Sequence, residues 1–237
     1  MRPLILHTGH QIADTVAAAF ERGLGCKGRL ASAVKDDDVE NCSFVVGYGI
    51  LRGTTPVFRL AEKMGKPWYV VDKGYFGAGH YDGYYRLGKR CTQTYREYDN
   101  ADSVIMPEPI ETNGTCGVIC PPTDAVCAFY QINKKQWIKD AIDYVEQRGK
   151  QVLVREKGTN RRLADDLSQA AFVYTFNSSV GWQAVAGGIE VVSDPVHSVV
   201  GQWGYRTDGD NFIANLLADQ FTLKDVEGGK LNDRFTT

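Results

Sequence analysis

The sequence predicts an α/β protein made of two Rossmann-like halves that face a cleft. Short β-branched apolar runs alternate with amphipathic stretches along the chain, an order typical of mostly parallel sheets. A proline-containing segment at 97–116 has the composition of a linker and divides this alternation. We therefore place the domains at 1–112 and 113–237. A single doubly wound domain is the alternative, because 237 residues are few for two such halves.

The first half alternates strands and helices from its start. Apolar runs mark the strands, and the stretches between them carry apolar residues at helical spacing with glycine or proline at their ends. The predicted elements are strands at 4–6, 43–46 and 68–71, and helices at 12–24 and 57–64. Residues 35–41 are predicted to be a solvated loop. Gly9 alone does not make a dinucleotide-binding motif, because the pattern G-x-G-x-x-G is absent.

A long loop, GAGHYDGYYRLGKR at 77–90, is predicted to follow the strand at 68–71. Its length and its mixture of aromatic and basic side chains favour a binding loop over a simple connection. Asp72 lies where that strand ends, a position from which a carboxylate can act as a general base. The alternative is a turn carboxylate that accepts hydrogen bonds from backbone N–H groups.

The second half is organised around 151–193, QVLVREKGTNRRLADDLSQAAFVYTFNSSVGWQAVAGGIEVVS. Apolar runs there are separated by polar turns and by a glycine pair that ends a helix. The predicted elements of this half are a helix at 134–147, a strand at 151–155, a short helix at 163–170, a strand at 171–176, a helix opening at 181, a strand at 189–192, a loop at 193–210 and a helix at 212–217.

Polar residues follow two of these strands and predict an anion site. Arg155 and Lys157 come at the end of one strand, and Asn177, Ser178 and Ser179 form the turn between the next strand and its helix. The free N–H groups and the dipole at a helix start attract anions, and two cations nearby suit a diphosphate. The simpler interpretation is solvated charge at a strand end and serine side chains that cap a helix.

This half resembles the donor-binding half of GT-B glycosyltransferases, nearest to the capsule-polysaccharide and phage-encoded, DNA-modifying branch. The resemblance rests on a strand ending in Arg, an apolar strand, the pattern N-S-S-x-G-x-[EQ]-A-x-x-x-G and a further valine-rich strand. It covers about 113–237 and extends weakly to the run WYVVDKGYF at 68–76. It implies a compact GT-B-like fold, a nucleotide-sugar donor, with a UDP-sugar expected, and metal-independent sugar transfer without a further cofactor.

The donor-binding residues follow from the resemblance together with the residue chemistry. Family members often have Glu where this chain has Gln183, and that Glu binds the ribose; a glutamine can still donate and accept hydrogen bonds. The predicted donor-binding residues are Arg155, Lys157, Thr175, Asn177, Ser178, Ser179 and Gln183. Cys116, Cys120 and Cys127 fit no standard zinc spacing, so no metal is predicted.

Transfer to a hydroxyl needs a general base, for which Asp72 is the first candidate and His80, His10 and His7 are the others. The segment 52–96 contains nine Lys and Arg against three Asp and Glu, a net charge of +6, together with nine aromatic residues. Basic residues interleaved with aromatic ones are typical of polyanion binding, and the alternative is a tyrosine-rich loop packed on the core. The predicted acceptor-binding residues are Arg52, Lys73, Tyr75, Tyr84, Tyr85 and Arg86.

We therefore expect a glycosyltransferase whose acceptor is a hydroxyl group. The first acceptor to consider is a 5-hydroxymethylpyrimidine in phage duplex DNA, with the target base flipped out of the helix. Two alternatives stay open, a surface-polysaccharide acceptor and a non-catalytic nucleotide- or nucleic-acid-binding module of the same fold. The dispersed cysteines and the lack of a stretch of about 18 apolar residues predict a cytoplasmic protein without a membrane span. No nucleophile elbow or Walker A loop is present in the sequence, which disfavours hydrolases and kinases.

Overall fold

The computed structural model describes residues 2–77, 82–99, 101, 108–204 and 209–235. It divides the chain into two compact units, the first made of Met1–Thr94 with Asp219–Thr237 and the second of Tyr95–Ala218. Each unit has its own sheet with helices connecting the strands. The α/β class and the two groups of mainly parallel strands predicted from the sequence are confirmed.

The nine strands found among the described residues form one sheet in each unit. They are β1 Leu4–His7, β2 Arg29–Leu30, β3 Val45–Tyr48, β4 Trp68–Lys73, β5 Tyr85–Lys89, β6 Cys116–Cys120, β7 Gln151–Val154, β8 Ala170–Thr175 and β9 Glu190–Ser193. The first sheet has the order β2-β1-β3-β4-β5, with β5 antiparallel to β4 and the other pairs parallel. The second has the order β7-β6-β8-β9 and is parallel throughout.

The helices connect these strands within the described residues. They are α1 Gln11–Leu24, α2 Asp36–Glu40, α3 Thr54–Lys63, α4 Asp124–Tyr130, α5 Lys134–Gln147, α6 Leu163–Leu167, α7 Ser179–Ala186, α8 Val199–Trp203, α9 Gly209–Asp219 and α10 Leu223–Glu227. None of the helices described is long and apolar enough to cross a membrane.

Three predicted loops contain regular structure. Residues 77–90 include β5, whose Tyr85 and Leu87 are buried and which pairs with β4 over its whole length. Residues 35–41 include α2, where the Asp38 carboxylate accepts a hydrogen bond from the backbone N–H of Lys35 at 2.9 Å and so caps the helix start. Residues 193–210 include α8. The loop predictions were wrong there because short elements carry too few residues to show a period.

The C-terminal segment, Asp219–Thr237, belongs to the first unit. The domain boundary predicted near residue 112 leaves this segment in the second half. Phe221 exchanges backbone hydrogen bonds with Tyr85 at 2.8 and 3.0 Å. Phe235 stacks on Phe44 with ring centroids 4.6 Å apart and meets Tyr69 edge-on at 4.9 Å. These apolar side chains complete the hydrophobic core of the first unit, together with residues from the helix α1.

The second unit has a core between its sheet and α5. Val145 and Ala141 of that helix pack against Ile119 and Phe172 of the strands. A Cβ atom at Gly117 would lie 2.6 Å from a methyl carbon of Val145, so the helix can approach β6 this closely only over a glycine. The helix thereby covers one face of the sheet, and the loops lie at the carboxyl ends of the strands.

Candidate donor site and catalytic residues

The carboxyl edge of the second sheet gathers the polar segments predicted to bind the donor. Because β6, β7, β8 and β9 are all parallel, the residues that follow them emerge at the same edge. These segments are 121–124, 155–157, 177–178 and 194–197.

The turn after β8 is held by Thr175 and Ser178. The Thr175 hydroxyl donates to the carbonyl oxygen of Cys120 at 3.1 Å and accepts from the backbone N–H of Ser178 at 3.1 Å. The Ser178 hydroxyl accepts from the backbone N–H of Val180 at 3.3 Å and caps α7. Thr175 is 1% exposed, and its hydroxyl links the turn after β8 to the end of β6. Ser178 is partly exposed at the helix start.

The other predicted donor residues on this turn differ in exposure. Asn177 is partly exposed, and Ser179 and Gln183 are exposed on α7. Trp182 of the same helix is 3% exposed and belongs to the core. The helix therefore presents Ser179 and Gln183 to solvent, and their roles toward a donor stay predictions.

Arg155 is engaged in an ion pair that the sequence did not reveal. Its guanidinium pairs with the carboxylate of Asp166, which is 1% exposed and is also contacted by Arg161 at 3.0 Å. Arg155 donates a second hydrogen bond to the carbonyl oxygen of Arg161 at 3.1 Å. Two guanidinium groups thus face one buried carboxylate, so the cluster of Arg155, Arg161 and Asp166 has a net positive charge. Arg161 is its half-exposed member.

Lys157 is exposed and borders a pocket of about 220 Å³ after β6 and β7. The pocket is lined by Pro121, Pro122, Thr123, Asp124, Lys134, Glu156 and Lys157. Lys134 forms an ion pair with Asp124 at 2.8 Å, which partly neutralises one side. The lining thus holds two lysines and two carboxylates, those of Asp124 and Glu156, so Lys157 balances a negative charge at the pocket.

The loop after β9 contains an aspartate–histidine pair that sequence reasoning missed. Asp194 Oδ1 lies 2.9 Å from His197 Nδ1 and also accepts from the backbone N–H groups of Val196 and His197 at 2.9 and 2.7 Å. The imidazole lies against the rings of Tyr130 and Phe176, with centroids 4.4 and 5.5 Å away. The spacing D-x-x-H was the available signal, although it is common in turns.

In the first unit, Asp72 is half of an ion pair. Its Oδ2 accepts from Arg86 Nη2 at 2.9 Å, and its Oδ1 accepts from the backbone N–H of Lys73 at 2.8 Å. Burial, and after it the charge of Asp72, raises the pKa of Tyr48 to about 12. The Asp72 side chain is 38% exposed, so it is still accessible to solvent at the end of β4.

The predicted acceptor residues separate into buried and exposed groups. Tyr75, Tyr85 and Arg86 are 6%, 0% and 7% exposed, and Arg86 lies over the Tyr75 ring at 5.1 Å. Arg52, Lys73 and Tyr84 are exposed. The aromatic and basic residues of 52–96 thus contribute in part to packing, as the alternative interpretation of the segment holds.

The predicted histidines lie in different surroundings. His10 precedes α1 as its N-terminal boundary residue, and its Nδ1 is buried without a hydrogen-bond partner among the described residues. His7 at the end of β1 lies between Asp14 and Glu21, at 3.4 Å from each carboxylate. His80 lies outside the described residues, so its role stays a prediction.

The six cysteines are free thiols. Burial raises the pKa of the Cys120 thiol to about 12, so this thiol is protonated at neutral pH and is a poor nucleophile. Within the described ranges, His, Cys, Asp and Glu side chains form no group of three or more that could hold a metal ion.

No protein-family model and no curated protein matches this chain. Among solved structures, it is similar to the beta Kdo 2,7 transferase of Thermosulfurimonas dismutans KpsC, with a TM-score of 0.57 and 13% identity over 99% of this chain and 100% of that chain. The beta Kdo 2,4 transferase of the same KpsC gives a TM-score of 0.48 and 14% identity over 91% of this chain and 90% of that one. The first comparison, with the two parallel-sheet units, shows that this chain has a Rossmann-like fold of the GT-B type.

Proposed function

We propose that this protein is a glycosyltransferase that moves a sugar from a nucleotide-sugar to a hydroxyl acceptor. The observation that carries the proposal is the fold, which matches along 99% of the chain a structure described as a Kdo transferase. The carboxyl edge of the second sheet supports it, because a capped helix start and several cations lie at the position where nucleotides bind in such folds.

The donor phosphates are proposed to lie at the start of α7. The Ser178 turn would present its hydroxyl and the first N–H groups of the helix, while Lys157 and the Arg155–Arg161 pair would supply positive charge. Fixed positive charge stabilises the departing phosphate in the transition state without reorganisation of solvent, which makes metal-independent transfer chemically feasible. A UDP-sugar stays the first donor to examine, beside a nucleotide-activated Kdo.

Asp72 is the proposed general base in the first unit. Its ion pair with Arg86 and its hydrogen bond from Lys73 fix the carboxylate in one orientation. Each carboxylate oxygen has two lone pairs, so the group can still accept a proton from an acceptor hydroxyl while Arg86 holds it.

The proposed acceptors are those indicated by the sequence, a 5-hydroxymethylpyrimidine in DNA or a surface polysaccharide. Exposed Arg52, Lys73 and Tyr84 could contact either class, since a phosphate backbone needs positive charge and a sugar packs well on an aromatic face. The burial of Tyr85 and Arg86 reduces the basic and aromatic surface on which the DNA hypothesis depends.

The deciding experiment incubates the protein with UDP-sugars and a nucleotide-activated Kdo, first alone and then with each acceptor. Intact-mass spectrometry of hydroxymethylcytosine or hydroxymethyluracil oligonucleotides, and of capsule oligosaccharides, would detect the addition of one sugar. A gain on one acceptor with one donor establishes the reaction and both substrates. Nucleotide-sugar binding without hydrolysis or transfer would favour the non-catalytic module, and no binding of any nucleotide-sugar would reject the proposal.

A further inference from the structure

The pair formed by Asp194 and His197 lies in a rigid turn. Asp194 Oδ1 receives two backbone N–H groups and the imidazole Nδ1 within 2.9 Å, which fixes the carboxylate and the ring together. Gln202 of α8 donates from its side-chain amide to the carbonyl oxygen of Val196 at 2.7 Å. A Cβ atom at Gly201 would lie 2.1 Å from the carbonyl oxygen of Asp194, so α8 packs directly on this turn.

The same turn is attached to the end of β8, next to the Ser178 turn. The backbone N–H of Asp194 donates to the carbonyl oxygen of Phe176 at 3.2 Å. The rings of Tyr130, Phe176 and His197 form one cluster, with centroids 4.4 to 5.5 Å apart. Residues that follow β6, β8 and β9 therefore meet at His197.

The protonation pattern of His197 follows from its partner. An ionised carboxylate only accepts hydrogen bonds, so Nδ1 carries the proton that faces Asp194. Nε2 makes no hydrogen bond to the described part of the chain, and the side chain is 32% exposed. When both ring nitrogens carry a proton, Nε2 is a donor and a phosphate oxygen can accept its hydrogen bond.

We propose that His197 is a catalytic residue of the donor site, whose Nε2–H donates to a phosphate oxygen of the nucleotide, and that Asp194 is its positioning residue. This inference rests on the proposed function. During transfer, the bond between the anomeric carbon and the phosphate oxygen breaks and its electron pair stays on that oxygen. The acceptor oxygen bonds to the anomeric carbon, and its proton passes to the general base. His197 stabilises the charge that develops on the leaving phosphate and remains protonated.

The test titrates UDP and CMP, with uridine and cytidine as phosphate-free references, into wild-type protein, His197→Phe and Asp194→Asn by calorimetry. His197→Phe keeps a ring between Tyr130 and Phe176 but removes the donor. We expect it to weaken nucleotide binding roughly ten- to hundred-fold, as for loss of a charge-assisted hydrogen bond, and to leave nucleoside binding unchanged.

Asp194→Asn distinguishes positioning from a structural role. An asparagine amide can still accept hydrogen bonds but carries no charge, so Asp194→Asn should weaken nucleotide affinity less than His197→Phe does and should leave nucleoside affinity unchanged.

His7→Gln is the control, because His7 is also partly exposed and paired with carboxylates but lies in the first unit. Equal nucleotide affinity in wild type and His197→Phe would overturn the role of His197 and leave the proposed function in place. If His197→Phe does not fold, an Asp194→Asn variant whose nucleotide affinity matches wild type would overturn it. No nucleotide binding by the wild-type protein would overturn both proposals.

Discussion

At the residue scale, Asp72 is the side chain on which the proposed chemistry depends most. Replacing it with asparagine preserves the shape and removes the base, so we expect turnover to fall by about 10²- to 10⁴-fold while nucleotide-sugar affinity stays unchanged. Steady-state kinetics with the donor and acceptor found by mass spectrometry provides the measurement.

Asp143→Asn is the matched control, since Asp143 is exposed on α5. Asp72→Asn also removes the carboxylate partner of the buried Arg86. The thermal midpoint of each variant should therefore be measured and shown to lie above the assay temperature. Wild-type turnover in a folded Asp72→Asn protein would remove Asp72 as the base.

Asp166 shows a different use of charge, because its carboxylate is buried and neutralises two arginines. Asp166→Asn removes the partner that Arg155 and Arg161 share, and we expect it to lower the free energy of unfolding by about 3 kcal/mol. Urea denaturation measures the loss.

The neighbouring Asp165→Asn is the control for that prediction. Asp165 is about half exposed and pairs with the exposed Arg162 at 2.7 Å, so its removal should leave the free energy of unfolding nearly unchanged. Equal losses in the two variants would mean that burial does not decide the energy of these pairs.

At the scale of an element, the start of α7 combines stability with the proposed donor contact. Ser178→Ala removes the side-chain acceptor for the backbone N–H of Val180 and should cost about 1 kcal/mol of unfolding free energy. Ser179→Ala, one residue along on the exposed side of the helix, should be nearly neutral.

A comparison of nucleotide affinity in Ser178→Ala and Ser178→Gly separates capping from binding. Ser178→Gly restores most of the capping energy without a hydroxyl. If Ser178 contacts the phosphate, Ser178→Gly should regain stability but not affinity; a recovery of both would limit the serine to its role in the helix.

The short helix α10 gives a prediction for pH. The hydrogen bond from Lys230, followed by that from the backbone N–H of Thr222, lowers the pKa of Asp225 to about 2. A carboxyl with a lowered folded-state pKa stabilises the protein above its unfolded pKa near 3.8, and that stability is lost as the pH falls toward 2.

Asp225→Asn should therefore reduce the unfolding free energy by about 1 kcal/mol at neutral pH, a value that allows for solvent screening of the exposed Lys230. The difference from wild type should be constant above about pH 5 and shrink between pH 4 and 2. Urea denaturation at several pH values measures it, and a difference that grows on acidification would contradict the assignment.

At the scale of the whole molecule, the C-terminal segment completes the first unit. The Phe235 ring packs on the rings of Phe20, Phe44 and Tyr69, with ring centroids 4.6 to 6.1 Å apart. Phe235→Ala should cost about 3 kcal/mol, because it removes buried apolar surface and leaves a cavity among three aromatic rings.

Denaturant unfolding followed by fluorescence measures this cost, with Leu51→Ala as the control, since Leu51 is 51% exposed. A loss below about 0.5 kcal/mol for Phe235→Ala would show that the first unit is stable without its last residues.

The α/β class and the longer elements could be predicted from the sequence alone because both depend on local periodicity. Helices 11–24 and 134–147 are long enough to show an apolar face, and the apolar runs of β3, β4 and β8 are typical of buried parallel strands. The Ser178 turn was equally readable, since a cap is a local contact between neighbouring residues.

The partners of charged side chains depend on tertiary structure, because they lie far apart in the sequence or on short elements. Asp72 meets Arg86 only once β5 pairs with β4, and Arg155 meets Asp166 only once the loop after β7 turns back. The sequence by itself determined the fold class and the location of the candidate donor site at one set of strand ends. Tertiary structure decided which side chains are exposed there, because burial and ion pairing arise from contacts between elements.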